Sequence, residues 1–128
     1  MIGRRSFQPR SVKAITSEEK ATRIARLCDA HKGQDIEILK VGDLCSFTDY
    51  MVLISGLSTT HLRALAEIHR VELKKLGVHS IGVEGGGDAN WILTDYGDVV
   101  AHVFLNETRR YYNLERLWGD ATRLEWRG

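Results

Sequence analysis

Four side chains in the C-terminal half are of the types that acid–base or metal chemistry requires: Glu84, Asp95, Asp98 and His102. Alternate residues of a strand share one face, so Asp98 and His102 are expected to lie together. Carboxylates gathered around a divalent ion would indicate a metal-dependent or nucleotidyltransferase-like enzyme. Two such ligands do not make a zinc site, however, and no H-x-x-x-H spacing supports one. We therefore predict neither a metal nor a cofactor.

The sequence signals for a phosphate site or a reactive cysteine are equally weak. Gly85, Gly86 and Gly87 could cradle a phosphate, but no Gly-Lys-Ser/Thr follows and the next predicted element is a strand. A plain loop is the favoured interpretation. Cys28 falls on the apolar stripe of a predicted helix, and Cys45 has no base beside it in the sequence. These patterns predict a protein that is not an enzyme.

The helices and strands that would position these residues follow from periodicity and from capping signals. Thr16 and Glu19 form a capping box that begins a helix, which Gly33 ends. The other predicted elements are strands at 36–41, 50–55, 80–84, 91–95 and 99–104, and helices at 58–76, 107–112 and 114–121. The long helix, on which His69 is expected to be buried, predicts a parallel crossover, and Tyr96-Gly97-Asp98 predicts a hairpin. The expected fold class is α/β (α+β-like), a single domain with a mixed five-stranded sheet and helices packed on it.

Composition fits one globular domain. The 128 residues are 43% hydrophobic and 27% charged, typical of a soluble protein. Residues 1–32 carry a net charge of +5 and residues 33–128 a net charge of −4. This distribution predicts a flexible basic arm at residues 1–15 and a mildly acidic domain at residues 16–128, suited to a basic partner. Without a secretory apolar stretch or a disulfide framework, a bacterial cytoplasmic location is favoured over an organellar one.

Aromatic residues concentrate in the C-terminal half, interleaved with arginines and acids. They are Trp91, Tyr96, Phe104, Tyr111, Tyr112 and Trp118. Aromatic and arginine side chains together are typical of interface hot spots. For Trp91, Phe104 or Trp118 taken singly, core packing is an equal alternative. Because so small a domain cannot bury the whole group, the pattern predicts a binding surface.

A linked series of motifs carries a family resemblance. The series runs D-Y-M-V-L-I-S-G from Asp49, S-x-x-H from Ser58, E-G from Glu84, W-I-L-x-D-Y-G-D-V-V-x-H-V-F from Trp91, and Y-N-L-E-R-L-W-G-D-A from Tyr112. Together these motifs resemble the ribosomal silencing factor (Iojap-like) family over about residues 17–121. Thr59-Thr60, Phe47-Thr48 and Ala101 depart from the family pattern at peripheral positions. Thr59 and Thr60 weaken any charged contact there.

The resemblance implies a non-enzymatic factor with a nucleotidyltransferase-like topology. Such a factor binds a ribosomal protein on the intersubunit face of the large subunit, blocks joining of the small subunit and lowers translation when nutrients are scarce. It also implies a homodimer when free, and the basic arm is a candidate contact for ribosomal RNA. By position, the implied partner-binding residues are Trp91, Asp95, Tyr96, Asp98, His102, Arg109, Tyr112 and Glu115.

Overall fold

The computed structural model describes residues 15–86 and 88–127. Its elements, in chain order, are α1 (Ser17–Ala30), β1 (Gln34–Lys40), β2 (Tyr50–Gly56), α2 (Thr59–Lys75), β3 (Gly82–Glu84), β4 (Trp91–Asp95), β5 (Val99–Leu105), α3 (Asn106–Tyr112), α4 (Leu114–Leu117) and β6 (Thr122–Arg123). Each predicted helix and strand is present, although the last helix is shorter than expected. All but the final residue of the predicted basic arm lies outside the described residues.

The two long helices begin where their capping residues predict. The Thr16 hydroxyl accepts from the Glu19 amide at 3.1 Å, while the Glu19 carboxylate accepts from the Thr16 amide at 2.9 Å. Ser58 caps α2 in the same way, accepting from the His61 amide at 3.1 Å. Each cap satisfies an amide that the helix leaves without a partner. The predicted burial of Cys28 in α1 and of His69 in α2 is confirmed.

The sheet is mixed, and its strand order is β3-β4-β5-β2-β1-β6. Only the central β2–β5 pair is parallel among the pairs described. β3 runs parallel to β2, so α2 is the predicted crossover, and β4 and β5 form the predicted hairpin. Across the described residues the sheet has six strands, not five, because the two-residue β6 pairs with Leu39 and Lys40 at the edge of β1. A two-residue strand has no hydrophobic alternation, which is why the sequence did not reveal it.

The sheet has two faces with different cover. On the first face, α1 and α2 pack against alternate residues of the strands, among them Ile38, Val52 and Val103. The second face carries a smaller cluster built on Leu39, Met51, Leu53 and Phe104, which α3 and α4 only partly cover. The strand β2 is buried throughout, as its continuous apolar run predicts. None of the described helices is long and apolar enough to span a membrane.

The chain end also closes the core. Trp126 is buried, and its indole donates to the Ile36 carbonyl at 3.3 Å, while Arg26 donates to the Trp126 carbonyl at 3.0 Å. The Leu124 amide donates to the Ile38 carbonyl at 2.9 Å. This tail therefore ties α1 to β1, and nothing in the sequence indicated that role.

Candidate protein-binding surface

An aromatic cluster occupies one end of the second face. Trp91 of β4 lies directly opposite Phe104 of β5 in the ladder, so both side chains project from the same face. The Trp91 ring lies 5.8 Å from His102, 5.5 Å from Phe104 and 4.9 Å from Tyr112, measured between ring centroids. Its indole nitrogen donates to His102 Nδ1 at 3.1 Å. Strands β4 and β5 and helix α3 thus fix one tryptophan from three sides.

The outer part of this cluster is open to solvent. Tyr111 is 82% exposed and Tyr112 is 54% exposed, with their ring centroids 5.0 Å apart in an edge arrangement. Beside them lies a shallow groove of about 440 Å³, lined by Asn90, Trp91, Glu107, Thr108, Tyr111 and Tyr112. Exposed aromatic side chains beside a groove are suited to bind another protein. We call Trp91, Tyr111 and Tyr112 the aromatic patch.

A buried arginine supports the aromatic patch from beneath. Arg109 is only 5% exposed. Its Nε donates to Glu115 Oε2 at 2.7 Å, and its Nη1 donates to the Ser55 hydroxyl at 2.9 Å. Ser55 in turn donates to Asn106 Oδ1 at 3.0 Å. The guanidinium also lies 5.6 Å from the Phe104 ring centroid. Arg109 therefore joins β2 and α4 to α3, the helix that carries Tyr112.

The polar residue at the back of the patch is uncharged near neutral pH. Burial lowers the pKa of His102 to about 4. Its Nδ1 is the acceptor for Trp91, which a neutral ring with its proton on Nε2 provides. His102 Nε2 is buried and makes no hydrogen bond within the described part of the chain. A neutral histidine here orients Trp91 without adding charge to the surface.

Five of the eight residues expected at the surface come together. Trp91, His102 and Tyr112 contact one another, and Arg109 with Glu115 joins them through Phe104, with His102 and Arg109 buried. Asp95 faces the same side of the sheet through its pairing with Val100, and its carboxylate accepts from the Gly97 amide at 2.7 Å. Asp95 therefore stabilises the β4–β5 turn and lies on the second face of the sheet.

The other two expected residues lie elsewhere. Tyr96 is buried under α2, with its hydroxyl 2.8 Å from His69 Nδ1. Asp98 forms an ion pair of 2.9 Å with Lys20 of α1 and accepts from Ser17. Partial burial alone would raise the pKa of Asp98, but the hydrogen bonds from Ser17 and Lys20 and the Lys20 charge hold it below its usual value. Both residues fasten the helices to the sheet.

The predicted juxtaposition of Asp98 and His102 is wrong. The strand begins at Val99, so Asp98 belongs to the preceding turn and its carboxylate binds α1 instead of sharing the face of His102. Glu84 is exposed on the edge strand β3. Across residues 15–86 and 88–127, no three His, Cys, Asp or Glu side chains converge as metal ligands. The constellation required by the enzymatic alternative is therefore not assembled in this part of the chain.

Sequence reasoning missed two supporting residues, Ser55 and Asn106. A signal was present for Ser55, because it is the polar side chain of a strand that is otherwise apolar and wholly buried. A buried hydroxyl requires a partner, which here is supplied by Arg109 and Asn106. Nothing in the sequence singled out Asn106, which lies directly after β5.

The glycine loop has a steric explanation. Gly85 has a φ of +95°, and a Cβ there would collide with the Trp91 carbonyl oxygen. Glycine is therefore required where the end of β3 passes close to the start of β4. The loop interpretation fits Gly85 and Gly86, and Gly87 lies outside the described residues.

Fold and site together define a class of small α+β proteins. In these proteins two long helices cover one face of a mixed sheet, and the other face presents an aromatic patch. Comparisons with known proteins make this specific. Residues 14–127 match the family described as ribosomal silencing factor during starvation, and the chain belongs to that family. It is similar to the ribosomal silencing factor RsfS of Bacillus subtilis, with 38% identity over 76% of this chain and 82% of the relative.

Two further relatives bear on structure and on partners. A crystal structure of a Chromobacterium violaceum protein superimposes with a TM-score of 0.79 at 38% identity, covering 81% of this chain and 87% of that one. The mouse protein named mitochondrial assembly of ribosomal large subunit protein 1 is 32% identical over 88% of this chain and 50% of its own length. The predicted family is thus confirmed, as is the mixed α+β fold apart from its sixth strand.

Proposed function

We propose that this protein silences ribosomes by binding, through its aromatic patch, a ribosomal protein on the intersubunit face of the large subunit. Once bound, the silencing factor blocks joining of the small subunit and represses translation under nutrient limitation, in the bacterial cytoplasm. The observation that carries the proposal is the exposure of Tyr111 and Tyr112, with Tyr112 packed on Trp91, in a family named for ribosomal silencing. Steric occlusion requires no catalytic group.

The chemistry of the patch fits a protein partner. Tyrosine and tryptophan bury large areas at little cost in side-chain entropy, since they have few rotatable bonds and are already held by neighbours. The domain that carries them, residues 16–128, has a net charge of −3, which is complementary to the basic proteins of ribosomes. Electrostatic attraction would speed association, and the aromatic groups would supply most of the affinity.

Subunit joining measured by light scattering tests the proposal directly. Purified large subunits, preincubated with the protein, should fail to associate with small subunits, and the protein should sediment with free large subunits in a sucrose gradient. Intact joining at saturating protein, or sedimentation only with complete ribosomes, would refute the mechanism.

Tyr112→Ala tests the proposed surface. Tyr112 is half-exposed and covers Trp91, so its truncation removes a rigid aromatic anchor without opening the core. Hot-spot truncations cost about 2 kcal/mol, so affinity for large subunits should fall about 30-fold. Leu57→Ala is the control, since Leu57 is 70% exposed and lies in the β2–α2 turn. Equal binding by both variants would place the partner elsewhere.

Two accessory interactions belong to the same proposal. A second copy of the chain would cover the aromatic patch when the protein is free, so dimerisation and ribosome binding would compete. The basic arm, residues 1–15, would contact ribosomal RNA. Its deletion should then reduce the salt dependence of large-subunit binding, because fewer phosphate contacts release fewer counterions. An unchanged salt dependence would exclude the arm contact and leave the patch proposal standing.

A further inference from the structure

The groove beside the aromatic patch has walls that are inclined to one another. All three rings of the patch line it, with an angle of 53° between the planes of Trp91 and Tyr112 and of 84° between those of Tyr111 and Tyr112. Rings stacked in parallel would present one face to a ligand, whereas inclined rings form the sides of a corner. The negative faces of such rings attract a cation that lies within about 6 Å of their centroids.

A carboxylate lies beside these rings. Glu107 precedes Tyr111 by four residues on α3, so both side chains project from the same side of the helix. Glu107 is exposed, and its carboxylate makes no hydrogen bond or ion pair with the described residues. Among the described residues that line the groove it is the one charged side chain, so the lining has a net charge of −1.

The rest of the lining is polar. Asn90 and Thr108 bring an amide and a hydroxyl whose oxygens can accept hydrogen bonds. Within the described chain no aliphatic side chain lines the groove, although an apolar anchor such as leucine would be expected to meet several. The neighbouring cations do not fill it, since Arg109 is buried against Glu115 and the exposed Arg110 is not part of the lining.

We propose that this groove binds a lysine or arginine side chain of the partner protein. The charged group lies against the aromatic faces, and Glu107 accepts its hydrogen bonds, in an ion pair that the partner shields from water once it covers the groove. The inference rests on the proposed function for the identity of the partner, and it adds the chemical group that the aromatic patch recognises.

Nuclear magnetic resonance titration tests the groove without the ribosome. The probes are glycine-flanked peptides with a single lysine or arginine, and the control peptide carries citrulline, which has nearly the shape of arginine but no charge. Saturable shifts of the Trp91 indole N–H and of the Glu107 and Tyr111 amides are expected with a cationic peptide and not with the control. Equal responses to charged and uncharged peptides, or a response to none, would overturn the proposal.

The ring of residue 111 distinguishes a cation from an apolar anchor. Tyr111→Phe keeps the ring face negative and should leave the affinity for the cationic peptide unchanged within about twofold. Pentafluorophenylalanine at the same position keeps the shape of the ring, makes it more apolar and reverses the sign of its face. It should weaken binding about fivefold, the value of one cation–π contact. Equal or tighter binding would show that an apolar group occupies the groove.

Glu107→Gln tests the carboxylate and connects the groove to the ribosome. It should lower the affinity for the cationic peptide and for large subunits about tenfold. Asp29→Asn makes the same change of charge at an exposed position of α1 and should leave both affinities unchanged. Equal losses in the two variants would reduce the effect to net charge and refute the inference.

The two proposals can fail separately. Large subunits that bind through Tyr112 but do not respond to Glu107→Gln would refute the cation site and leave the proposed function standing. A protein that binds the cationic peptide but no large subunits would refute the proposed function and leave the cation site standing.

Discussion

Single residues behind the aromatic patch determine its geometry. Arg109 was expected from the sequence as a surface contact, but it is buried, with its charge balanced by Glu115. A buried cation requires an anion and several acceptors, and Glu115 together with Ser55 provides them. The sequence singled out Arg109 and Glu115 but could not indicate how deeply each side chain is buried, since depth depends on how α3 folds back over β5.

Glu115→Gln tests the support. The substitution keeps the shape but removes the charge that both Nε and Nη2 of Arg109 contact. Because Glu115 is about one third exposed, water offsets part of the loss, and we expect the free energy of unfolding to fall by about 1–2 kcal/mol. Urea denaturation measures this.

The control for this variant is Glu37→Gln. Glu37 pairs with Arg123 across β1 and β6, and both side chains are solvent-exposed. Exposed pairs contribute little, so the loss there should be at most about 0.5 kcal/mol. Equal losses in the two variants would show that Arg109 does not depend on Glu115.

At the scale of elements, the short α3–α4 segment places the patch. The two helices are separated by Asn113, which adopts the left-handed conformation with φ 50° and ψ 55°. Asparagine tolerates this conformation better than other residues with a side chain, apart from aspartate. The turn reverses the chain so that Glu115 reaches back to Arg109. The sequence predicted both helices and the break between them at Asn113, but not the left-handed conformation of that residue.

Substitutions at Asn113 should separate backbone from side-chain effects. Asn113→Gly keeps the left-handed turn and should change the free energy of unfolding by less than about 0.5 kcal/mol. Asn113→Val places a β-branched residue at positive φ and should cost about 1–2 kcal/mol. Urea denaturation checks both, and tryptophan fluorescence reports the setting of Trp91. Similar stability of the two variants would contradict the role assigned to this turn.

The elements with strong local signals were predictable, and the exceptions have physical causes. The capping box of α1, the buried run of β2 and the β4–β5 hairpin depend on neighbouring residues and were recovered. The strand β6 and the placement of Trp126 depend on the tail meeting β1, 82 to 90 residues away in sequence. Similarly, the position of Asp98 was decided by Lys20 of α1. Long-range pairing of this kind leaves no periodic trace in the sequence.

At the scale of the whole molecule, two buried histidines, one on each face of the sheet, make the stability of the fold depend on pH. His69 fastens α2 to Tyr96 on the first face, and His102 orients Trp91 on the second. Burial lowers the pKa of both to about 4, with the charge of Arg70 adding to the effect at His69. Unfolding exposes both rings to water, where the pKa of histidine is about 6.5.

Stability should therefore decline as the pH falls from 7 to 5. Between the folded and unfolded pKa values the unfolded chain binds more protons, so acidification favours unfolding, and the full stabilisation is present only above about pH 6.5. Each histidine should account for about 2 kcal/mol over this interval. Asp98, whose pKa is held below its usual value, loses its ion pair only at lower pH, so this interval isolates the histidines.

His102→Gln keeps an acceptor for Trp91 and does not titrate. Urea denaturation at pH 7 and pH 5 should show about half the wild-type loss in that variant, whereas an undiminished loss would mean that folding does not lower the pKa of His102.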